Sequence, residues 1–289
     1  MKVLLTGRNG QVSRALQKQL GQGVDLQVLG QAQLDLGDTD AIRRQVRELK
    51  PDLIINAAAY TLVDRAQNET EQAFAINAVA PGVLAEEAAK LGSPLIHYST
   101  DYVFDGSKAT PYDEEDATHP LNVYGASKLA GENAIRAVAG THLILRTSWV
   151  YSQHGNNFLL TMQRLLQERE ELRVVDDQIG APTWAGSIAQ ATAELIGHWR
   201  NDQAGPWGTY HLSAQGETSW FGFASAIAEH LRTGATACAR LQPIPGSAYP
   251  TPAQRPQNSR LDCTRLQRDW RIQLPDWRAA LRECLSEPS

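Results

Sequence analysis

Short, continuously apolar runs recur through the first half of the chain, each followed by a longer stretch in which apolar and polar positions mix. The runs are Val3-Leu4-Leu5-Thr6, Leu26 to Leu29, Leu53-Ile54-Ile55-Asn56-Ala57-Ala58-Ala59, Pro94 to Ser99 and Leu143-Ile144-Leu145-Arg146. A strand apolar at every position is buried on both faces, as in a parallel sheet covered by helices. Helices are expected up to Leu20, over Thr39 to Leu49 with Asp38 as its N-cap, over Glu69 to Leu91, and from Tyr124 onward. Asn77 is an unusually polar residue in the middle of the third of these, expected to satisfy local backbone groups. This alternation predicts an α/β fold with a doubly wound parallel sheet.

Beyond residue 150 the alternation breaks. Gly155 to Phe158, Asp177 to Thr183 and Pro250 to Leu261 read as loops among helices such as Ser187 to Trp199 and Phe221 to Leu231. The expected division is a dinucleotide-binding domain over 1–150 and a smaller carboxy-terminal α/β substrate lobe over 151–289, some of whose helices are free to return to the sheet. Composition narrows the function. Lys and Arg number 27 against 32 Asp and Glu, a net charge of -5 with no basic run, which argues against nucleic acid. No apolar run reaches membrane-spanning length and no signal-peptide pattern opens the chain, so a cytoplasmic protein is expected. Cys238, Cys263 and Cys284 are widely spaced and odd in number, so no disulfide framework is expected, and the histidines show no metal-ligand spacing.

Two stretches carry candidate chemistry. After the first strand comes Gly7-Arg8-Asn9-Gly10-Gln11-Val12-Ser13, whose glycines allow a tight turn and close approach to a pyrophosphate at a helix amino terminus, the Rossmann-like arrangement. The second strand ends at Gly30-Gln31 without the acid that would repel a 2′-phosphate, so NADPH or NADH is accommodated. Arg8 is placed to meet such a phosphate or to stay a solvated loop arginine. Ala57 and Ala59 leave room for a ligand where the third strand ends.

The other stretch runs from His97 to Lys128. Tyr124 and Lys128, four residues apart, share a helix face, and an ammonium beside a phenol draws it toward acid/base range. Such a pair also occurs as a solvated surface pair; the glycine turn and the strand series before it favour catalysis. Thr100, at a strand end, completes a Thr/Tyr/Lys set for proton transfer beside a hydride transfer. Arg255 and Arg260 would answer a diphosphate, or else pair with a carboxylate such as Asp262.

Thr6-Gly7-x-x-Gly10, Asn56-Ala57-Ala58-Ala59, Ser99 to Phe104, Tyr124-Gly125-x-x-Lys128, Arg146 to Tyr151 and Arg255-Pro256-x-Asn258-Ser259-Arg260-Leu261 together resemble the dTDP-4-dehydrorhamnose reductases, extended short-chain dehydrogenase/reductases. The resemblance spans nearly the whole chain. It implies reduction of the C4 keto group of dTDP-4-dehydro-β-L-rhamnose, closing dTDP-L-rhamnose synthesis. It also implies that Tyr124 is the proton donor, that Lys128 tunes it and binds the nicotinamide ribose, and that Thr100 polarises the carbonyl. Gly10, Gln11 and Val12 would hold the pyrophosphate, Asp35 and Leu36 the adenine end, and Ala59, Tyr60 and Thr61 the centre of the cofactor. Thr100, Asp101 and Trp149 would face the sugar, although Trp149 also reads as a core aromatic. Some members are dimers joined through Mg²⁺ held by glutamates. Ala15 and Gly186 stand at those positions here, so no metal and a monomer are expected. The alternatives are a non-catalytic NADP-binding regulatory subunit, which need not keep Thr100, Tyr124 and Lys128, and a nucleotide-sugar epimerase or dehydratase. A dehydratase usually has an acid where Tyr102 stands.

Overall fold

A computed structural model describes residues 1–21, 23–201, 206–233 and 238–287. The apolar runs are strands β1 (Lys2–Thr6), β2 (Asp25–Leu29), β3 (Leu53–Asn56), β4 (Leu95–Thr100) and β5 (His142–Thr147). Helices α1 (Gln11–Leu20), α2 (Thr39–Leu49), α3 (Val63–Ala66), α4 (Thr70–Phe74), α5 (Ala80–Leu91) and α6 (Val123–Ala137) lie between them. After β5 come β6 (Val150–Tyr151), α7 (Phe158–Glu168), β7 (Glu171–Val175), β8 (Ile179–Gly180), β9 (Thr183–Trp184) and α8 (Ala185–Arg200). The chain ends with β10 (Gly208–His211), β11 (Thr218–Ser219), α9 (Trp220–Thr233), β12 (Arg240–Ile244), α10 (Thr264–Trp270) and α11 (Trp277–Ser286).

A six-stranded sheet in the order β10-β5-β4-β3-β1-β2, parallel throughout, forms the centre. Side chains alternate across a strand, so each run supplies two cores. Val3 and Leu5 of β1 meet Leu16, Ile188, Leu195 and Trp270 on one face, while Leu4 meets Ile42, Val46, Leu84 and Ile135 on the other. Each such side chain, fully buried, contributes about 1.5–3 kcal/mol. A further core of Leu159, Met162, Phe223, Ile227, Trp277 and Leu281 holds α7, α9 and α11 together.

Three local expectations change. β3 stops at Asn56, leaving Ala57 to Ala59 irregular. The helix expected over Glu69 to Leu91 contains a π-helical turn, Ala75–Val79. Pro81 has no N–H for the carbonyl of Asn77 four residues back, which breaks the α-helical ladder there. The sheet also takes its edge strand from beyond residue 150, because β10 pairs with β5.

Candidate active site

The strand order reverses between β1 and β3, and a parallel sheet opens a crevice at the carboxyl ends of its strands where that happens. Here the crevice is a cavity of about 370 Å³ lined by Gly7, Gly30, Asp35, Leu36, Ala59 and Thr61, among others. Gly7 has φ +85°, and a Cβ there would stand 3.0 Å from the main chain of Ala58. Gly10 caps α1 without a side-chain hydrogen bond, and the first turn carries no acid, so its leading N–H groups remain available to an anion. The Gln11 side chain is turned away, its oxygen accepting from Ser152 at 3.0 Å and from Asn157 at 2.8 Å. Only its main chain can then serve a pyrophosphate. Val12 packs against the sheet core. A dinucleotide fits this cradle.

Arg8 crosses the end of β2, donating to the carbonyl of Val28, with its Cβ beside Gly30. The Asp35 carboxylate accepts from Gly37 N at 2.8 Å, shaping the turn at the far end of the cavity. On the opposite wall Asn77 reaches out of the π turn. Its oxygen accepts from Tyr60 N at 2.8 Å, and its amide donates to Tyr60 O and to Ser127 Oγ, both at 3.0 Å. Asn77 therefore ties the cofactor loop to α6, far beyond the local role expected of it.

β4 ends at Thr100, whose hydroxyl accepts from Tyr102 N at 3.2 Å and starts the turn Asp101–Val103. α6 starts at Asn122, whose side chain accepts from Gly125 N at 2.8 Å. The helix lies so close to the turn that a Cβ on Gly125 would stand 2.1 Å from Tyr102 O. This contact brings the Tyr124 phenol beside the Thr100 hydroxyl, close enough for Thr100 to act on its protonation. Lys128, one turn on, is buried and donates to Tyr98 O at 2.7 Å, with its Nζ 3.1 Å from His97 Nε2.

Burial sets the charges. It pushes the Tyr124 phenol up to about 12, against the influence of the nearby Thr100 hydroxyl, and draws the Lys128 ammonium down to about 8, against the attraction of Glu132. The expected pull of the ammonium on the phenol does not dominate, because Lys128 turns to Tyr98 O and His97. The phenol is thus held protonated, the state a proton donor requires. Asp101 Oδ1 accepts from Thr100 at 3.1 Å, while Oδ2 is buried without a protein partner. Burial pushes this carboxyl up to about 6, with Ser259 and Thr100 opposing the rise.

Trp149, with φ +48°, stacks on Trp220 of α9 with ring centroids 3.5 Å apart, over the backbone of Gly180. Arg255 donates to both carboxylate oxygens of Asp64, at 3.2 and 3.1 Å, and acts on the nearby Tyr102 phenol. The Tyr102 ring meets that of Tyr124 edge-on at 5.6 Å. Arg260 points elsewhere, to Asn258 and Glu217, each at 2.8 Å, and lines a separate cavity of about 270 Å³. Arg255 thus adjoins the Thr100/Tyr124/Lys128 cluster and Arg260 does not. His97, Asp64 and Trp220 escaped the sequence reading. Only His97 carried a signal, as an ionisable residue inside an apolar run.

The RmlD substrate binding domain family matches residues 1–289. A dTDP-4-dehydrorhamnose reductase of Burkholderia thailandensis is 47% identical over 99% of this chain and 99% of its own, and one from Escherichia coli K12 is 44% identical over 99% and 98%. The structure of a dTDP-4-dehydrorhamnose reductase from Bacillus anthracis, in complex with NADP, superposes with a TM-score of 0.92 at 36% identity, covering 99% of both chains. The chain therefore belongs to the RmlD substrate binding domain family, among the dTDP-4-dehydrorhamnose reductases.

Proposed function

We propose that this protein reduces the C4 keto group of dTDP-4-dehydro-β-L-rhamnose to the alcohol of dTDP-β-L-rhamnose, the last step in making that nucleotide sugar. The observation that carries the reading is the Thr100 and Tyr124 hydroxyls brought together beside a buried Lys128, at the open end of the sheet and next to the dinucleotide cradle. Bound NADPH or NADH supplies a hydride. Thr100 donates to the ketone oxygen and polarises it, and Tyr124, protonated in the resting enzyme, hands its proton to the oxygen as it becomes an alkoxide. Lys128 stabilises the resulting phenolate and holds the ribose hydroxyls. The main chain of Gly10, Gln11 and Val12 binds the pyrophosphate; Asp35 and Leu36 face the adenosine, and Ala57, Ala59, Tyr60 and Thr61 the middle of the dinucleotide. Arg8 releases Val28 O to take a 2′-phosphate.

On the sugar side Asp101 Oδ2, buried without a partner, accepts from a hydroxyl, and Trp149 covers the ring. Arg255 exchanges part of its Asp64 contact for the diphosphate. Among the described residues no helix is long and apolar enough to cross a membrane. This reading puts the reaction in the cytoplasm, where the soluble dinucleotide and nucleotide-sugar pools are. It also makes the working unit a monomer. Gly186 has no room for a metal-binding side chain, since a Cβ there would meet the Trp184 ring at 2.4 Å. The reading is tested by incubating the purified protein with NADPH and dTDP-4-dehydrorhamnose and following the loss of reduced-nicotinamide absorbance. Substrate-dependent oxidation with dTDP-rhamnose as product supports it; no oxidation with verified substrate sinks it.

A further inference from the structure

Behind Lys128 a chain of buried polar groups crosses three strands. Lys128 Nζ lies 3.1 Å from His97 Nε2 on β4, His97 Nδ1 lies 3.0 Å from the Asn56 amide at the end of β3, and the Asn56 oxygen accepts from the Thr6 hydroxyl at the end of β1 at 2.7 Å. Thr6 Oγ1 in turn accepts from Ala58 N, in the cofactor loop, at 3.3 Å. Thr6, Asn56, His97 and Lys128 are all buried. Their donors and acceptors must therefore match one another.

Neutral imidazole has one N–H and one bare nitrogen. With the Asn56 nitrogen against Nδ1, the bare nitrogen is Nδ1, so Nε2 carries the proton and points it at Lys128 Nζ. Every bond then runs from Ala58 toward Lys128, a polarity that a neutral amine accepts and an ammonium does not. Turning the amide end for end changes its shape hardly at all. Its oxygen then takes Nδ1–H, Nε2 becomes an acceptor for the ammonium, and the Asn56 nitrogen donates to Thr6. Burial and the nearby Lys128 hold His97 well below its ordinary range, so the ring stays neutral in both arrangements.

The geometry points to His97 as a positioning residue that, through the reversible amide of Asn56, matches its tautomer to the charge on Lys128 and so lets a buried catalytic lysine be either ammonium or amine with both ring nitrogens of His97 still paired. One proton separates the two states. It passes from Lys128 to the Tyr124 phenolate during turnover, or to water in the free enzyme, while His97 keeps a single N–H. The other charged group acting on Lys128 is Glu132, one turn on along its own helix. Glu132 is held by both Nε and a terminal nitrogen of Arg146 on β5, at 2.9 and 2.8 Å. The inference rests on the role given to Lys128 above.

The test is ¹⁵N NMR of the full-length protein with labelled histidine, the His97 signals being identified by their loss in His97→Gln. Below the Lys128 transition near pH 8 the proton is expected on Nδ1 and above it on Nε2. A single tautomer across that range, or an imidazolium, overturns the inference. This readout needs no substrate, so its failure is distinct from failure of the proposed reaction. In turnover, His97→Leu should move the alkaline limb of the kcat profile down by about one pH unit, because the ammonium loses an acceptor. His97→Gln, whose amide can also reverse, should restore it. A limb unmoved in His97→Leu, or moved equally in both variants, reduces His97 to a packing role.

Discussion

Asn77 binds both main-chain groups of Tyr60, seventeen residues earlier, and with the same amide reaches Ser127 beside Lys128. Ser127 passes the contact on by donating to Tyr124 O at 2.8 Å. One buried side chain thus sets the distance between the Tyr60 loop and α6. Asn77→Leu should leave Tyr60 N and O unpaired, costing about 2–4 kcal/mol, and should also weaken NADPH binding. Denaturant titration and NADPH fluorescence check this. Lost stability with unchanged cofactor affinity would confine Asn77 to a structural role.

Cofactor choice should turn on Arg8, which spans the end of β2 beside Gly30 where no acid stands. Arg8→Ala is expected to raise the KM for NADPH and leave that for NADH nearly unchanged. Equal effects on both would mean that Arg8 merely braces the turn through Val28 O.

The two arginines of the carboxy-terminal motif should separate. Arg255→Ala is expected to weaken dTDP binding by about 1.5–3 kcal/mol in calorimetry, the scale of a charged hydrogen bond. Arg260→Ala should not, since Arg260 is held by Asn258 and Glu217 on a different cavity. The reverse pattern would move the diphosphate to that cavity.

Much of this was legible in the chain itself, and the residues show why the rest was not. Five parallel strands announce themselves through short apolar runs such as Val3-Leu4-Leu5, Leu53-Ile54-Ile55 and Leu143-Ile144-Leu145. The sixth, Gly208–His211, has a Gly, a Thr and a His among its four residues and is recognisable only beside β5. The Tyr124/Lys128 spacing is local, so sequence shows it. The partners Asp64 of Arg255, Trp220 of Trp149 and Tyr60 of Asn77 are tertiary, and no periodicity encodes them. The π turn at Ala75–Val79 follows from Pro81 and the packing of α6, a combination that helical patterning hides.

Lys128 should write its burial into the pH dependence of stability. Its ammonium is drawn down to about 8 in the folded protein from an ordinary value of 10.5, so between these pH values the unfolded chain binds more protons and stability rises with pH. Relative to Lys128→Met, the parent should gain on the order of 3 kcal/mol from pH 8 to 10.5, read by urea unfolding of both proteins. A constant difference would show that Lys128 titrates alike in both states.

The most direct test of the proposed chemistry is the turnover of Tyr124→Phe with NADPH and dTDP-4-dehydrorhamnose, alongside its affinity for NADPH. On the proposed mechanism, removing the hydroxyl beside Thr100 leaves the dinucleotide cradle intact but takes away the proton for the developing alkoxide. The expected result is NADPH binding close to that of the parent and a kcat lower by roughly 10²-fold or more. Near-parental turnover in this variant would contradict Tyr124 as the acid and, with it, the mechanism.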